Sequence, residues 1–222
     1  MGKRSVLRKQ RQADHNKAAR LRLIRYGGLA VIILIGLTAL ISWRGGGTAP
    51  AADMVIQTHL KGPADAPVRI VEYGDLTCSA CRQWHNLGFK EQLFAEFGDQ
   101  ISFEFRHFPV ITPSSPKGAE AAQCAADQDG FWLFHDYIYE NLPLYPNLST
   151  EQVQAVAAAV GLDRAAFDSC LNSGRYRAFP AQATQEARRA GATGTPTFFI
   201  NGQPVSASYM VMSAVINALL EN

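Results

Sequence analysis

The chain has 222 residues, 47% hydrophobic and 18% charged, with four cysteines and a formal net charge of +2. That length holds one medium domain plus an appendage, and the absence of internal similarity at periods of roughly 20 to 50 residues excludes a repeat architecture. The charge is uneven: nine of the 21 Lys and Arg residues lie in residues 1–25 against Asp14 alone, Arg44 adds one, and residues 45–222 carry 11 basic and 18 acidic side chains, a formal charge of −7.

The basic stretch reads as a cytoplasmic tail at 1–25, because the apolar run next to it points to a membrane and not to nucleic acid. Tyr26 to Trp43 is an uncharged run of 18 residues. As a helix it would be about 27 Å long, enough to cross a hydrocarbon layer with some thinning. Tyr26 and Trp43 sit at its ends, where amphipathic aromatics favour the headgroup region, and the basic residues on its N-terminal side keep that end in the cytoplasm. We therefore expect a transmembrane anchor at 26–43 and an exported C-terminal part. Ala49-Pro50-Ala51 leaves a cleaved signal peptide as the alternative; the long basic region and long apolar run favour an uncleaved anchor. Residues 44–60, with Gly45-Gly46-Gly47, read as a flexible linker.

Residues 61–222 form the exported domain. A turn-rich segment up to Pro67 leads into a β-branched strand at 68–73, and Gly74-Asp75 breaks it. Cys78-Ser79-Ala80-Cys81 then opens a helix read over 78–97. A cysteine at a helix N-terminus faces unpaired N–H groups and the positive end of the dipole, so Cys78 should favour its thiolate. The two-residue spacing puts Cys81 within one turn, close enough for a disulfide to open and close in place. A redox dithiol fits better than a zinc site, since neither Cys124 nor Cys170 has a Cys or His two to four residues away. A purely structural disulfide is the bland alternative.

Ile101 to Phe105 alternates as a second strand, so strand, helix and strand form a parallel βαβ unit with the thiols at the C-terminal edge of its first strand. Residues 114–190 read almost wholly as helix. Ser114 or Ser115 with Pro116 starts one helix; Phe131 to Leu142 is a second, aromatic-rich one; Ser149-Thr150-Glu151-Gln152 caps a third; Asp163 caps a fourth; the fifth runs from about Tyr176 to Ala190. Gly194 to Ile200 and Gln203 to Val205 flank Asn201-Gly202, a strong hairpin signal, and a last helix covers 208–220. The fold class is α/β in the order β-α-β, helical insert at about 114–190, β-β-α, preceded by the transmembrane helix. Cys124 and Cys170 fall in the insert. Outside the cytoplasm such a pair most often forms a structural disulfide; two buried free thiols and a second redox pair are the alternatives.

This order, with Glu72 to Cys81, Phe131-Trp132, His135-Asp136 and Gly194 to Gly202, resembles the DsbA-like thiol-disulfide oxidoreductases, thioredoxin-fold proteins with a helical insertion, over roughly residues 58–220. The resemblance implies that Cys78 is the exposed nucleophile and Cys81 its buried partner. It implies that Pro196 is a cis-proline facing them, and that Thr195 offers its backbone to an extended substrate. Glu72 matches the family's acidic residue six positions before the first cysteine, where it could exchange a proton with Cys81; an outward-facing strand glutamate is the alternative. Asp75 and His85 could be solvated neighbours, and His107 and His135 packing or surface residues.

The implied activity is disulfide formation in reduced exported proteins, recycled by a membrane quinone-linked redox partner. No cofactor, metal or nucleic acid is expected. Ser79-Ala80 departs from the family's usual Pro followed by an aromatic or His, which leaves the redox potential open. A disulfide isomerase or reductase, a copper-handling protein and a non-catalytic peptide-binding module are the alternatives.

Overall fold

The computed structural model describes residues 59–145 and 147–221. The tail at 1–25, the anchor at 26–43 and the linker up to residue 58 lie outside the described residues. Among those described, no helix is long and apolar enough to cross a membrane.

The elements in chain order are β1 His59–Lys61, β2 Val68–Gly74, α1 Ser79–Asn86, α2 Phe89–Phe97, β3 Ile101–His107, α3 Ser115–Ala126, α4 Phe131–Asn141, α5 Thr150–Ala159, α6 Arg164–Ser173, α7 Phe179–Arg189, β4 Thr197–Ile200, β5 Gln203–Val205 and α8 Tyr209–Leu220. They form one five-stranded sheet in the order β1-β3-β2-β4-β5. β2 is its centre. It runs parallel to β3, from Val68 opposite Ile101 to Gly74 opposite His107, and antiparallel to β4. Paired on both edges, β2 buries five of its seven residues, Glu72 among them, and leaves Arg69 exposed.

The expected order is present, with two corrections. His59 and Leu60, assigned to the flexible linker, belong to β1, paired antiparallel to Phe105 and Glu104; three residues are too few to show alternation. The helix read over 78–97 is broken: Gly88 takes φ 68°, a left-handed conformation that favours glycine, so α1 ends at Asn86 and α2 restarts at Phe89.

Packing on the two faces of β2 decides what the site contains. Ile70 joins Trp84 of α1, Leu93 and Phe97 of α2, Phe198, and Met212 and Ile216 of α8. On the opposite face Tyr73 packs with Phe108, Ala187 of α7 and Ala192. Side chains alternate along a strand, so Glu72, in phase with Ile70, lies on the side of the CxxC helix. The insert, α3 to α7, has its own apolar core, which reaches the sheet through Leu76 and Phe105 and includes both Cys78 and Cys81. Within it a disulfide joins Cys124 of α3 to Cys170 of α6, with Cα atoms 5.8 Å apart. α5 opens on a reciprocal capping box between Ser149 and Gln152, and Asp163 caps α6 through the Ala166 N–H.

Candidate active site

Cys78 is the N-cap residue of α1, with extended backbone, and its Sγ accepts the Cys81 N–H at 3.4 Å. Such caps need a side-chain acceptor for the first unpaired N–H groups, and here the acceptor is sulfur. The Sγ also lies 3.3 Å from the Thr195 carbonyl oxygen, to which it donates while it is protonated. The Thr195–Pro196 peptide bond is cis. Two segments 117 residues apart in sequence thus meet at one sulfur.

Both thiols are free, yet their environments differ sharply. The hydrogen bond with the Cys81 side chain leads in bringing the Cys78 pKa from 9.0 down to about 6; burial opposes it, and the Cys81 and Ala80 backbone groups add to the lowering. Burial pushes the Cys81 thiol far above its ordinary value, with Cys78 and Glu72 adding to the effect. Cys78 is 4% exposed and Cys81 0%. The expectation of an exposed nucleophile is therefore corrected in degree: the Thr195 turn covers Cys78, though only Cys78 of the two keeps any access to solvent.

Glu72 is buried, 2% exposed, and its Oε1 meets no hydrogen-bond partner among the described residues. Burial raises its pKa from 4.5 to about 8, with nearby Lys90 pulling the other way. The strand places it inward. Gly74 keeps this corner passable, because a Cβ there would lie 2.4 Å from the Phe105 ring and 3.0 Å from Glu72 Oε1.

Asp75, read as a possible solvated neighbour, is 1% exposed and accepts four hydrogen bonds. Two of its donors, the Val110 and Ile111 N–H groups, lie 35 and 36 residues away, beyond the reach of any local pattern. The histidines form a buried group. His59 stacks on Phe131 at 3.5 Å, and His107 and His135 each meet the same ring edge-on or tilted. Burial holds His59 at about 3 and His135 at about 4, and lowers His107 well below its ordinary value, so all three imidazoles are neutral at physiological pH.

One described group could be considered for a metal. His85, His135 and Asp136 bring potential ligand atoms within 4.8 Å of one another. The Asp136 carboxylate, however, already accepts from His135 Nδ1 at 2.7 Å, Lys90 Nζ at 3.3 Å and Lys61 Nζ at 3.4 Å. Both ammonium groups also sit over the Trp132 ring. A metal cation would have to displace two fixed positive charges, so the residues do not fit one. The cluster ties α2 and β1 to α4.

Known proteins share this architecture. The thioredoxin family model matches residues 55–218. A sodium/proton antiporter NhaA from Herminiimonas arsenicoxydans is 34% identical over 162 residues, covering 72% of this chain but 25% of that protein. The chain thus spans about a quarter of the length of this relative. A probable disulfide bond formation protein D from Bacillus cereus is 28% identical, covering 72% of this chain and 77% of that protein. Among solved structures, oxidised BdbD from Bacillus subtilis superposes with a TM-score of 0.67 at 21% identity, over 74% of this chain and 94% of that one.

Proposed function

Because the chain belongs to the thioredoxin family and carries the fold of its DsbA-like members, we propose that it is a membrane-anchored thiol-disulfide oxidoreductase that forms disulfides in exported proteins. The observation that carries this reading is the asymmetry of the CxxC pair. Cys78 caps α1, accepts the Cys81 N–H and has its pKa lowered to about 6, whereas Cys81 is wholly buried and its thiol is pushed far up.

In the oxidised form a client thiolate attacks the Cys78 sulfur. A client–Cys78 bond forms, the Cys78–Cys81 bond breaks, and Cys81 leaves and takes up a proton. Glu72, still protonated below about 8, is the side chain placed to supply it. A second client thiolate then attacks the client sulfur of the mixed disulfide and expels Cys78 as a thiolate. The client loses two electrons and the CxxC pair gains them. A low-pKa sulfur is a good leaving group, so this last step favours oxidation of the client. Thr195 and cis-Pro196 beside the Cys78 sulfur offer backbone to an extended client segment.

The Cys124–Cys170 disulfide supports an oxidising compartment, since such bonds persist outside the cytoplasm. The basic tail at 1–25 ahead of the apolar run at 26–43 supports an anchor whose N-terminus stays cytoplasmic, with the catalytic domain in the periplasm or at the cell exterior. Recycling then falls to a membrane quinone-linked partner. The test is oxidative refolding of a reduced, cysteine-containing client by the oxidised full chain. Wild type should accelerate disulfide formation and Cys78→Ala should not; equal rates would remove the enzyme reading.

A further inference from the structure

Asp75 connects two segments that the proposed reaction needs together. Its Oδ1 accepts the Thr77 N–H at 2.8 Å and the Thr77 hydroxyl at 2.9 Å. Its Oδ2 accepts the Val110 N–H at 2.8 Å and the Ile111 N–H at 2.9 Å. The Asp75 backbone carbonyl accepts the Cys78 N–H at 2.9 Å and the Tyr139 hydroxyl at 3.1 Å. One buried residue therefore holds the turn that presents Cys78 and the loop after β3.

That loop has an outward face. Val110 is 39% and Ile111 47% exposed, so their side chains face outward while their backbone N–H groups are held by Asp75. Val110 and Phe108 form one wall of an open cleft of about 400 Å³; Gly191, Ala192 and Thr193 form another, with Arg188 also lining it. Thr193 lies two residues before Thr195, whose carbonyl touches Cys78. The cleft is thus joined to the Thr195 side of the reacting sulfur along the chain and to the turn that presents Cys78 through Asp75.

We propose that Asp75 is a positioning residue that fixes the Val110–Ile111 loop as an apolar docking edge for the client segment flanking the reacting cysteine. This rests on the oxidoreductase reading. Hydrogen bonds from backbone to a carboxylate are among the stronger ones, and a loop freed of two of them has no other anchor for those N–H groups. An extended client running past Thr195 would then meet a mobile edge and bind more weakly.

Two substitutions separate hydrogen bonding from mere bulk. Asp75→Ala removes all four acceptor contacts. Asp75→Asn keeps one acceptor, and turning it toward the loop satisfies both Val110 and Ile111, leaving only the Thr77 N–H without a partner, since the Thr77 hydroxyl can reverse its role. The experiment is steady-state oxidation of a reduced two-cysteine peptide by the full chain, with a small-molecule disulfide in fixed excess to reoxidise the CxxC pair and with KM and kcat resolved. The expected result is a KM raised about tenfold in Asp75→Ala and less than about threefold in Asp75→Asn, with kcat changed less than KM in both. An unchanged KM in Asp75→Ala, or equal rises in the two variants, overturns the proposal. If Asp75→Ala does not fold, the doubly substituted Val110→Ser, Ile111→Ser chain, which keeps every backbone contact, must raise the same KM; no rise there overturns it equally. A wild-type chain that oxidises no peptide at all instead overturns the functional reading, and this inference with it.

Discussion

Cys78 and Cys81 stand three positions apart on one turn of helix, and what divides their chemistry is what touches each sulfur. Cys78 meets the Cys81 N–H and the Thr195 turn; Cys81 lies in apolar core, with the Glu72 carboxyl near enough to act on it electrostatically. In the reduced chain the ultraviolet absorbance of the thiolate should therefore titrate with a midpoint of about 6, and that transition should vanish in Cys78→Ser. A midpoint at the ordinary thiol value of 9.0 would contradict the assignment. Glu72 makes an independent prediction. Its carboxyl ionises near 4.5 when the chain is unfolded but holds its proton to about 8 when folded, so raising the pH through that window favours unfolding. Glu72→Gln lacks this group. Denaturant unfolding at several pH values should show wild type losing stability relative to Glu72→Gln between pH 4.5 and 8; parallel curves would mean that Glu72 is not held neutral.

For single residues the sequence told most where the signal was local. The CxxC spacing and its place before a helix are local, and so is the Thr-Pro step before β4. Whether Glu72 faces in or out is not, because periodicity only says that it shares a face with Ile70, and the helices decide which face that is. Asp75 was illegible for a related reason. Its partners are brought to it by the parallel register of β2 and β3, which a strand pattern does not specify.

Among the elements, the helix boundaries at Ser149 and Asp163 were readable because capping is a local exchange of hydrogen bonds. The break at Gly88 was not, since apolar spacing continues through it and only the positive φ shows that the helix restarts. The insert depends on more than its apolar core. The disulfide between Cys124 and Cys170 closes a loop over a sequence separation of 46 and restrains the unfolded insert, an effect worth about 4 kcal/mol in the chain-entropy model. Cys124→Ser with Cys170→Ser should lower unfolding free energy by up to about that amount while client oxidation persists below the new melting transition. Loss of activity in a chain that is still folded would instead give this pair a part in the electron transfer.

Over the whole described domain, the βαβ unit, the insert and the hairpin place Cys78 and the Thr195–Pro196 turn, which are far apart in the chain, at one end of the two central strands. The parallel βαβ unit was readable from the order of elements, whereas β1 and the strand order of the sheet were not. The closeness of those two segments came only from a family resemblance, because no spacing rule links residues so far apart. The proposed mechanism depends above all on Cys78 being the sulfur that exchanges with client proteins and Cys81 the buried partner that leaves when a client attacks. That division of roles can be read by expressing the full chain carrying Cys81→Ser in cells exporting thiol proteins, and identifying mixed disulfides in non-reduced peptide digests. Client peptides should be found joined to the peptide containing Cys78, and none when Cys78→Ser is added. Mixed disulfides that survive the second substitution, or their absence from the Cys81→Ser chain altogether, would contradict it.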